Sequence, residues 1–131
     1  MGLLKTSTGT LGSTGMVTEY TQLSTVPTKV YFSVVGKDGG VSIASGCTGL
    51  GKANTQWCSS FGRDGGTSAT EERTDRCIHF FEIDSAGNKT TLLSASFEGF
   101  DTSISQFGFI GMKFNVHVAN GAYSYIARLE D

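Results

Sequence analysis

The feature that most constrains this fold is the alternation of apolar and polar residues in the last stretch, Phe109 to Leu129. From Met112 to Val118 every second residue is apolar, and the same period returns from Tyr123 to Leu129. A period of two is typical of a β-strand with one buried face. The two segments flank Asn120-Gly121, a preferred pair for a two-residue type I′ turn, in which both central residues need positive φ. The sequence therefore predicts a C-terminal hairpin over 109–129 that turns at Asn120-Gly121.

The turn also fixes the register of this predicted hairpin. With Asn120 and Gly121 as the loop, each apolar residue of the first strand faces an apolar residue of the second. One face of the hairpin is then apolar throughout, as the buried face of a sheet requires. The predicted pairs are Val118 with Tyr123, Val116 with Tyr125, Phe114 with Ala127, and Met112 with Leu129.

The composition favours an all-β chain. The 131 residues suit a single domain, 1–131, with one core. Eighteen glycines, one proline, nine phenylalanines and a low charged fraction of 17% indicate strands joined by many tight turns. The sequence predicts an antiparallel β-sandwich, jelly-roll-like, with roughly seven to nine short strands.

Three other segments shape the expected architecture. Residues 1–15 are rich in Thr, Ser and Gly, and we expect an N-terminal arm or an edge strand, with a frayed terminus as the alternative. Lys29 to Val35 is an almost continuous apolar run, typical of a central strand covered on both faces. Lys52 to Arg76 has the loosest pattern, which we interpret as a long excursion with one or two short strands. Long loops often carry function, so a recognition surface is expected there, with a solvated loop as the alternative.

Charge, hydropathy and cysteines narrow the classes of function. A net charge of −2 argues against a nucleic-acid binder. We see no apolar run of membrane-spanning length, and the residues after Met1 lack the hydrophobic core of a signal peptide, so we expect synthesis in a cytosol. Cys47, Cys58 and Cys77 are too few and too irregularly spaced for a disulfide framework or a zinc site. We expect reduced thiols or one bridge, and neither a metal nor a cofactor.

The sequence offers little for catalysis. His117 lies on the polar face of the predicted hairpin, which is typical of a solvated histidine. His79 is expected to point outward beside Cys77, but the two residues are about two strand rises of 3.3 Å apart, too far for a thiol and its base. Motifs for a nucleophile elbow, a zinc protease or a phosphate loop do not occur in the sequence. We therefore expect a protein that is not an enzyme.

The candidate contact residues fall in the predicted excursion. Trp57 lies near polar amides, a grouping that sugar-binding sites use to stack on a pyranose, but the large apolar area of its ring favours core packing over that role. Asp64 lacks the alternating oxygen ligands of a calcium loop, so its surroundings are interpreted as a turn. Arg73 belongs to a mixed-sign run, Glu71 to Arg76, that is either a solvated face or an intersubunit salt bridge. The candidate ligand or partner contacts are Asn54, Gln56, Trp57, Arg63, Asp64 and Arg73.

The order of these segments resembles that of a family of small virion structural proteins encoded by tailed phages and prophages. The resemblance lies in Val26 to Val30 before a hydrophobic strand, in Gln56-Trp57-Cys58 and the polar run to Arg76-Cys77-Ile78, and in the closing strand Tyr123 to Leu129. It implies a β-sandwich capsid decoration or tail-appendage subunit. Such a subunit is made in the host cytoplasm, is assembled onto the virion with other virion proteins as partners, and carries no catalytic motif.

The residues themselves are compatible with that setting. A mildly acidic β-domain stays soluble before assembly, and a closed homo-oligomer, with a trimer favoured, would cover the edges of its sheets. The alternative function is a carbohydrate-binding module that recognises a host surface glycan through Trp57.

Overall fold

The computed structural model describes residues 2–37, 43–52 and 55–131. These residues form ten β-strands and one short 3-10 helix, Ser105–Phe107. The strands are β1 (Leu3–Leu11), β2 (Gly15–Gln22), β3 (Lys29–Lys37), β4 (Ile43–Lys52), β5 (Thr55–Asp64), β6 (Thr67–Arg73), β7 (Ile78–Ile83), β8 (Lys89–Asp101), β9 (Phe109–Ala119) and β10 (Tyr123–Glu130).

The strands form two antiparallel sheets that pack against each other. The large sheet has the order β1-β10-β3-β4-β5-β6, and the small sheet has the order β2-β9-β8-β7. Within them, β3 to β6 and β7 to β9 are meanders of sequence neighbours, and the remaining connections cross between the sheets. The predicted antiparallel β-sandwich is confirmed, although the described residues contain ten strands instead of seven to nine. The first segment forms the edge strand β1.

The predicted C-terminal hairpin is wrong, although both of its strands exist. β9 pairs with β2 and β8 in the small sheet, whereas β10 pairs with β1 and β3 in the large sheet. The Asn120-Gly121 bend therefore leads from one sheet to the other. Asn120 remains attached to β8, because its backbone N–H donates to the Leu92 carbonyl (2.8 Å) and its side-chain amide donates to the Thr91 carbonyl (2.7 Å).

The apolar faces predicted for these two strands are nevertheless the buried ones. The rings of Phe114 and Tyr125 meet across the core with their centroids 5.7 Å apart. An alternating pattern makes one face of a strand apolar, and that face has to be buried. The pattern is the same whether two such strands are neighbours in one sheet or lie in facing sheets. The four predicted residue pairs are therefore not strand neighbours. Their members line one shared interior except Val118, because a bulge in the pairing of β8 with β9 turns Ala119 towards the core instead.

Aromatic rings fill the middle of this interior. The ring centroid of Phe32 lies 5.2 Å from that of Phe114, 5.9 Å from that of Tyr125 and 6.0 Å from that of Phe97. The tilted and edge-on arrangements are those that aromatic pairs prefer, and rings of this size dominate the burial of apolar area. The core is thus an aromatic cluster to which both sheets contribute.

The prediction of one or two strands within 52–76 is confirmed by β5 and β6, but the prediction that the segment is mainly a long loop is wrong, because these strands span most of it. The two strands form a hairpin whose pairing runs from Cys58 with Arg73 to Asp64 with Thr67, and Gly65 follows at φ +59°. The inward positions of β5 are Cys58, Ser60 and Gly62, which are small residues that give little hydrophobic alternation. A Cβ at Gly62 would lie 3.0 Å from the Phe81 ring, so a small residue is needed there.

β7 is buried on two sides. Ile78 and Phe80 belong to the main core, whereas His79 lies against Glu71 of β6 and Phe81 lies against Gly62 of β5. The expectation that His79 points outward is therefore wrong, because its side chain is 4% exposed.

Candidate functional site

The outer face of the large sheet is the side that does not contact the small sheet. Alternation along each strand places its residues, because the side chains on either side of every outward residue point into the core. On β3, for example, Phe32 and Val34 are buried while Val35 is exposed. The described outward residues include Thr6, Thr8, Thr10, Lys29, Tyr31, Ser33, Val35, Trp57, Ser59, Phe61, Arg63, Ser68, Thr70, Glu72, Ser124, Ile126, Arg128 and Glu130.

Large apolar side chains occupy the middle of this face. Val35 is 75% exposed, Ile126 51%, Phe61 46% and Trp57 39%. Single exposed apolar residues are ordinary on protein surfaces, but several on one face indicate a contact site. We call these four residues the apolar patch.

The pairing of the strands brings the members of the apolar patch near one another. Val35 of β3 faces Gly46 of β4, and Gly46 faces Phe61 of β5. A Cβ at Gly46 would lie 2.8 Å from the Phe61 ring, so that ring extends over the glycine towards β3. Ile126 pairs with Ser33, two residues from Val35 on the same face. The patch therefore extends across β10, β3, β4 and β5.

Charged residues lie around the apolar patch. At one end of the strands, two cations lie over the Tyr31 ring. Lys29 Nζ is 5.8 Å and Arg128 Cζ 5.2 Å from the ring centroid. Arg128 also forms a 3.1 Å salt bridge with Glu130. Glu72 is exposed on the edge strand β6. This distribution, apolar in the middle and charged at the rim, is typical of protein–protein interfaces.

Trp57 lies on the outer face and not in the core. Two shallow hollows adjoin its ring. The first is lined by Thr55, Gln56 and Thr74, and the second by Cys58, Ser59, Glu72, Arg73 and Thr74. An exposed indole with hydroxyl and charged groups beside it has the composition of a stacking platform for a ligand.

The other predicted contact residues do not all join Trp57. Gln56 points inward and connects the two sheets, since its amide accepts from the Phe97 backbone N–H (2.7 Å) and donates to the Phe97 carbonyl (3.3 Å). Arg63 and Asp64 lie about 20 Å from Trp57 along β5, given about 3.3 Å per residue. Arg63 donates to the Gly65 carbonyl (2.8 Å) and so braces the turn. Arg73 does share the second hollow with Trp57, and Asn54 lies outside the described residues.

A second polar cluster lies inside the sandwich, between β6 and the small sheet. Glu71 Oε2 is 3.4 Å from His79 Nε2, and Glu71 Oε1 accepts from Arg73 Nε at 3.1 Å. On its other side, His79 Nδ1 lies 3.1 Å from Ser94 Oγ, which also accepts from Arg76 at 2.7 Å. We call Glu71, Arg73, Arg76, His79 and Ser94 the interior polar cluster.

The hydrogen bonds of the interior polar cluster assign the proton of its histidine. An ionised carboxylate only accepts, so Glu71 Oε2, 3.4 Å from His79 Nε2, favours the tautomer with its proton on Nε2. In that tautomer Nδ1 accepts from Ser94 Oγ, which itself accepts from Arg76. The neutral imidazole then carries its proton on Nε2, facing Glu71. Glu71, His79 and Ser94 thus form a carboxylate–histidine–hydroxyl relay, but Ser94 is 0% exposed and its hydroxyl is not accessible to a substrate in this conformation.

Burial and charge act on both titratable groups of this relay. Burial lowers the pKa of His79, Glu71 opposes that shift, and Arg73 and Arg76 reinforce it. Burial alone would raise the pKa of Glu71, but attraction to His79, Lys89 and Arg73 outweighs it and the pKa is lowered. The cluster is therefore arranged around a neutral histidine and an ionised glutamate at neutral pH.

Sequence reasoning missed Val35, Ile126 and the interior polar cluster. The sequence did carry a signal that Val35 belongs to a contact surface. Lys29 to Val35 is predicted to be covered on both faces, whereas only one face of this strand is covered by the described residues. No comparable signal joined Glu71, His79 and Ser94, since they lie on three strands and meet only through the pairing of β7 with β8 and the packing of β7 against β6.

A third polar contact lies on the outer face of the small sheet. The Tyr20 hydroxyl donates to Asp101 (2.7 Å), and Asp101 also accepts from the Ser103 backbone N–H (2.9 Å). The Ser103 hydrogen bonds and the Tyr20 bond lower the pKa of Asp101 to about 2. This group fastens β2 to the end of β8.

Comparison with known proteins adds no relative. No protein-family model, curated protein or solved structure matches this chain. Within its described residues, no helix has the length and hydrophobicity to cross a membrane, and no group of three or more His, Cys, Asp or Glu residues is placed to hold a metal ion.

Proposed function

We propose that this protein is a structural subunit of a tailed-phage virion, either a capsid decoration or part of a tail appendage, that acts through protein–protein contacts. The observation that carries the proposal is the apolar patch on the outer face of the large sheet. Its members are open to solvent in a single copy of the chain, although they lie in the middle of the sheet. A surface of this kind is stabilised when another molecule covers it.

Two further observations support the proposal. The segment order of the sequence resembles that of small virion structural proteins, in the residues given above. The fold also suits assembly, because a meander of four strands, β3 to β6, builds a broad and firmly hydrogen-bonded face. Such a face keeps its shape when it meets a partner, so little conformational entropy is lost on binding.

Mass spectrometry of purified particles tests this function. Particles from an infected or induced host are banded on a density gradient, and a non-structural phage protein serves as the contamination control. The proposal predicts that peptides of this chain co-purify with the major capsid protein at a fixed ratio while the control disappears. A high ratio indicates a capsid decoration and a low ratio a tail appendage. Loss of this chain together with the control would contradict the proposal.

A second candidate function is recognition of a host surface glycan, and the hollows beside Trp57 favour it. The ring is 39% exposed, so part of one face is available for stacking on a pyranose. Arg73, Glu72 and the Thr74 hydroxyl adjoin the same hollow and would bind sugar hydroxyls. Gln56 is not available for this role, because both ends of its amide are engaged by Phe97.

A glycan array with matched variants tests this second function. Trp57→Ala removes the platform, and Phe61→Ala removes an equally exposed ring of the same strand as a control. Binding by the wild type and Phe61→Ala, with loss in Trp57→Ala, would support the glycan site. Absence of binding by all three proteins, or equal binding by Trp57→Ala, would contradict it.

A further inference from the structure

We infer that the outer face of the large sheet packs against the same face of a second copy of this chain, about a twofold axis. The inference deepens the proposed function, since it rests on the same contact surface and names the partner. It differs from the trimer that the sequence favoured, because a face that meets its own copy closes with two subunits.

β3 gives the first argument. Its sequence, Lys29 to Val35, is the nearly continuous apolar run of a strand that is covered on both faces. The fold covers one face, where Val30, Phe32 and Val34 are buried. The other face presents Val35, which is 75% exposed at an interior position of the sheet. The outward side of β3 thus combines apolar Tyr31 and Val35 with polar Lys29 and Ser33, and Val35 is left uncovered by the described part of the chain.

The size of the face gives the second argument. Strands about 4.8 Å apart and about nine residues long, at about 3.3 Å per residue, give a face on the order of 800 Å² for the large sheet. A stable interface buries about 800 Å² on each partner. The face thus has the area that a dimer needs, and sheets readily pack face to face about 10 Å apart.

The distribution of charge gives the third argument, because it favours a copy of this chain over a partner of one charge sign. The face carries cations and anions together, with Lys29 and Arg128 near one end and Glu72 and Glu130 also at the rim. The row that runs from Thr8 through Ile126, Ser33 and Ser59 is uncharged at these positions, and its β6 end carries Glu72. A second copy can meet this surface with an equally uncharged middle.

The register allows large side chains to meet small ones across such a contact. Ile126 and Ser59 lie in the same row of the sheet, on β10 and β5, at equal distances from the boundary between β3 and β4. A twofold axis along that boundary would place Ile126 of one copy over Ser59 of the other. The same axis would place Arg128 opposite Trp57, a favourable pairing of a guanidinium with an indole. It would also place Lys29 opposite Lys52 of the second copy, so that end of the contact has to stay hydrated.

Analytical ultracentrifugation of the intact chain tests the inference. The variant Val35→Lys/Ile126→Lys places charge in the apolar patch, and Met16→Lys is the control, since Met16 is 65% exposed on the other sheet. We expect a dimer for the wild type and Met16→Lys, and at least a tenfold weaker dimer for the double variant. A thermal melt monitored by circular dichroism verifies that all three are folded. A monomeric or trimeric wild type would overturn the inference.

The single tryptophan supplies a second readout from the face itself. Because Trp57 is the only tryptophan and lies on the outer face, its emission should shift to shorter wavelength as the wild type is concentrated. The double variant should show no shift. A dimer that forms without this shift, or that survives in the double variant, would use another surface and would overturn the inference.

These outcomes are separable from those of the proposed function. A chain that is monomeric in solution but present in particles would remove the twofold pairing and leave the virion role intact. A chain that dimerises through this face but is absent from particles would contradict the virion role and leave the twofold pairing intact.

Discussion

The two faces of the large sheet are built from neighbouring residues with opposite surroundings. Val34 is buried in the core and Val35 is 75% exposed, and Glu71 points to a buried histidine while Glu72 lies in solvent. The inner face is completed within the chain, by the small sheet, and the outer face is not. Alternate residues of the same strands thus belong to the buried core and to the exposed surface on which the proposed association depends.

The inner face is itself divided into two kinds of interior. Around Phe32 it is aromatic and apolar, so its contribution to stability follows buried area. Near β6 it holds the interior polar cluster, whose side chains depend on one another for hydrogen bonds and in which Arg76 Nε is buried without a hydrogen-bond partner among the described residues. Variants at the inner face should therefore lower the free energy of unfolding, whereas variants at the outer face should change association.

The largest effect is expected for Phe32→Ala on the inner face. Removing a buried ring that contacts Phe97, Phe114 and Tyr125 should lower the free energy of unfolding by about 3–5 kcal/mol. Urea denaturation measures this loss. Tyr31→Ala is the control from the adjacent outward position, and it should cost much less. Equal losses in the two variants would remove the distinction between the faces.

A smaller effect is expected for Glu71→Ala, which leaves the His79 Nε2–H and the Arg73 guanidinium without their carboxylate. The free energy of unfolding should fall by about 1–3 kcal/mol, the usual cost of depriving a buried polar group of its partner. Glu72→Ala is the matched control on the outer face, and it should change stability by no more than about 0.5 kcal/mol. A larger loss of unfolding free energy in Glu72→Ala than in Glu71→Ala would show that the contacts of Glu71 do not stabilise the fold.

The pH dependence of stability should come from the inner face as well. Because the pKa of His79 is lower in the folded chain, the unfolded chain binds more protons as the pH falls below about 6.5, and the free energy of unfolding then decreases. The loss is at most about 1.4 kcal/mol per pH unit for one group. Glu71, whose pKa is also lowered, adds a further loss as the pH falls below about 4.5.

Two histidine variants separate this contribution from the rest of the chain. In His79→Gln, urea denaturation between pH 7 and pH 5 should show a flatter dependence than in the wild type. His117→Gln is the control, since His117 is exposed on the small sheet, and it should keep the wild-type slope. A slope that survives in His79→Gln and disappears in His117→Gln would place the pH response outside the interior polar cluster.

The sequence was sufficient for the elements with a strong period of two and insufficient for how they are arranged. Met112 to Val118 and Tyr123 to Leu129 are strands with the predicted inward residues, apart from Val118, where a bulge turns Ala119 inward. The alternation does not determine which sheet each strand joins. Asn120-Gly121 favours a hairpin, but the chain crosses from one sheet to the other at this point. The decisive contacts, from Asn120 to Leu92 and Thr91, connect positions far apart in the sequence.

The candidate site was predicted in part for similar reasons. Trp57 was named as a candidate contact because a tryptophan near amides in a polar segment is a local signal. The favoured placement of its ring in the core is wrong, since the ring is 39% exposed. Ile126 and Phe61 could not be joined to Val35 without the order of β10, β3, β4 and β5. The β5 strand itself was obscured, since its inward residues Ser60 and Gly62 are too small to give an apolar period.

The most direct test of the account compares Val34→Ala with Val35→Ala in urea over a wide range of protein concentration. Val34→Ala should lower the free energy of unfolding by about 2 kcal/mol at every concentration, because it removes buried methyl groups. Val35→Ala should match the wild type at low concentration and lose only the stabilisation that the wild type gains as it is concentrated and pairs. A loss from Val35→Ala that equals that of Val34→Ala at low concentration, or a wild-type stability that does not depend on concentration, would contradict the account.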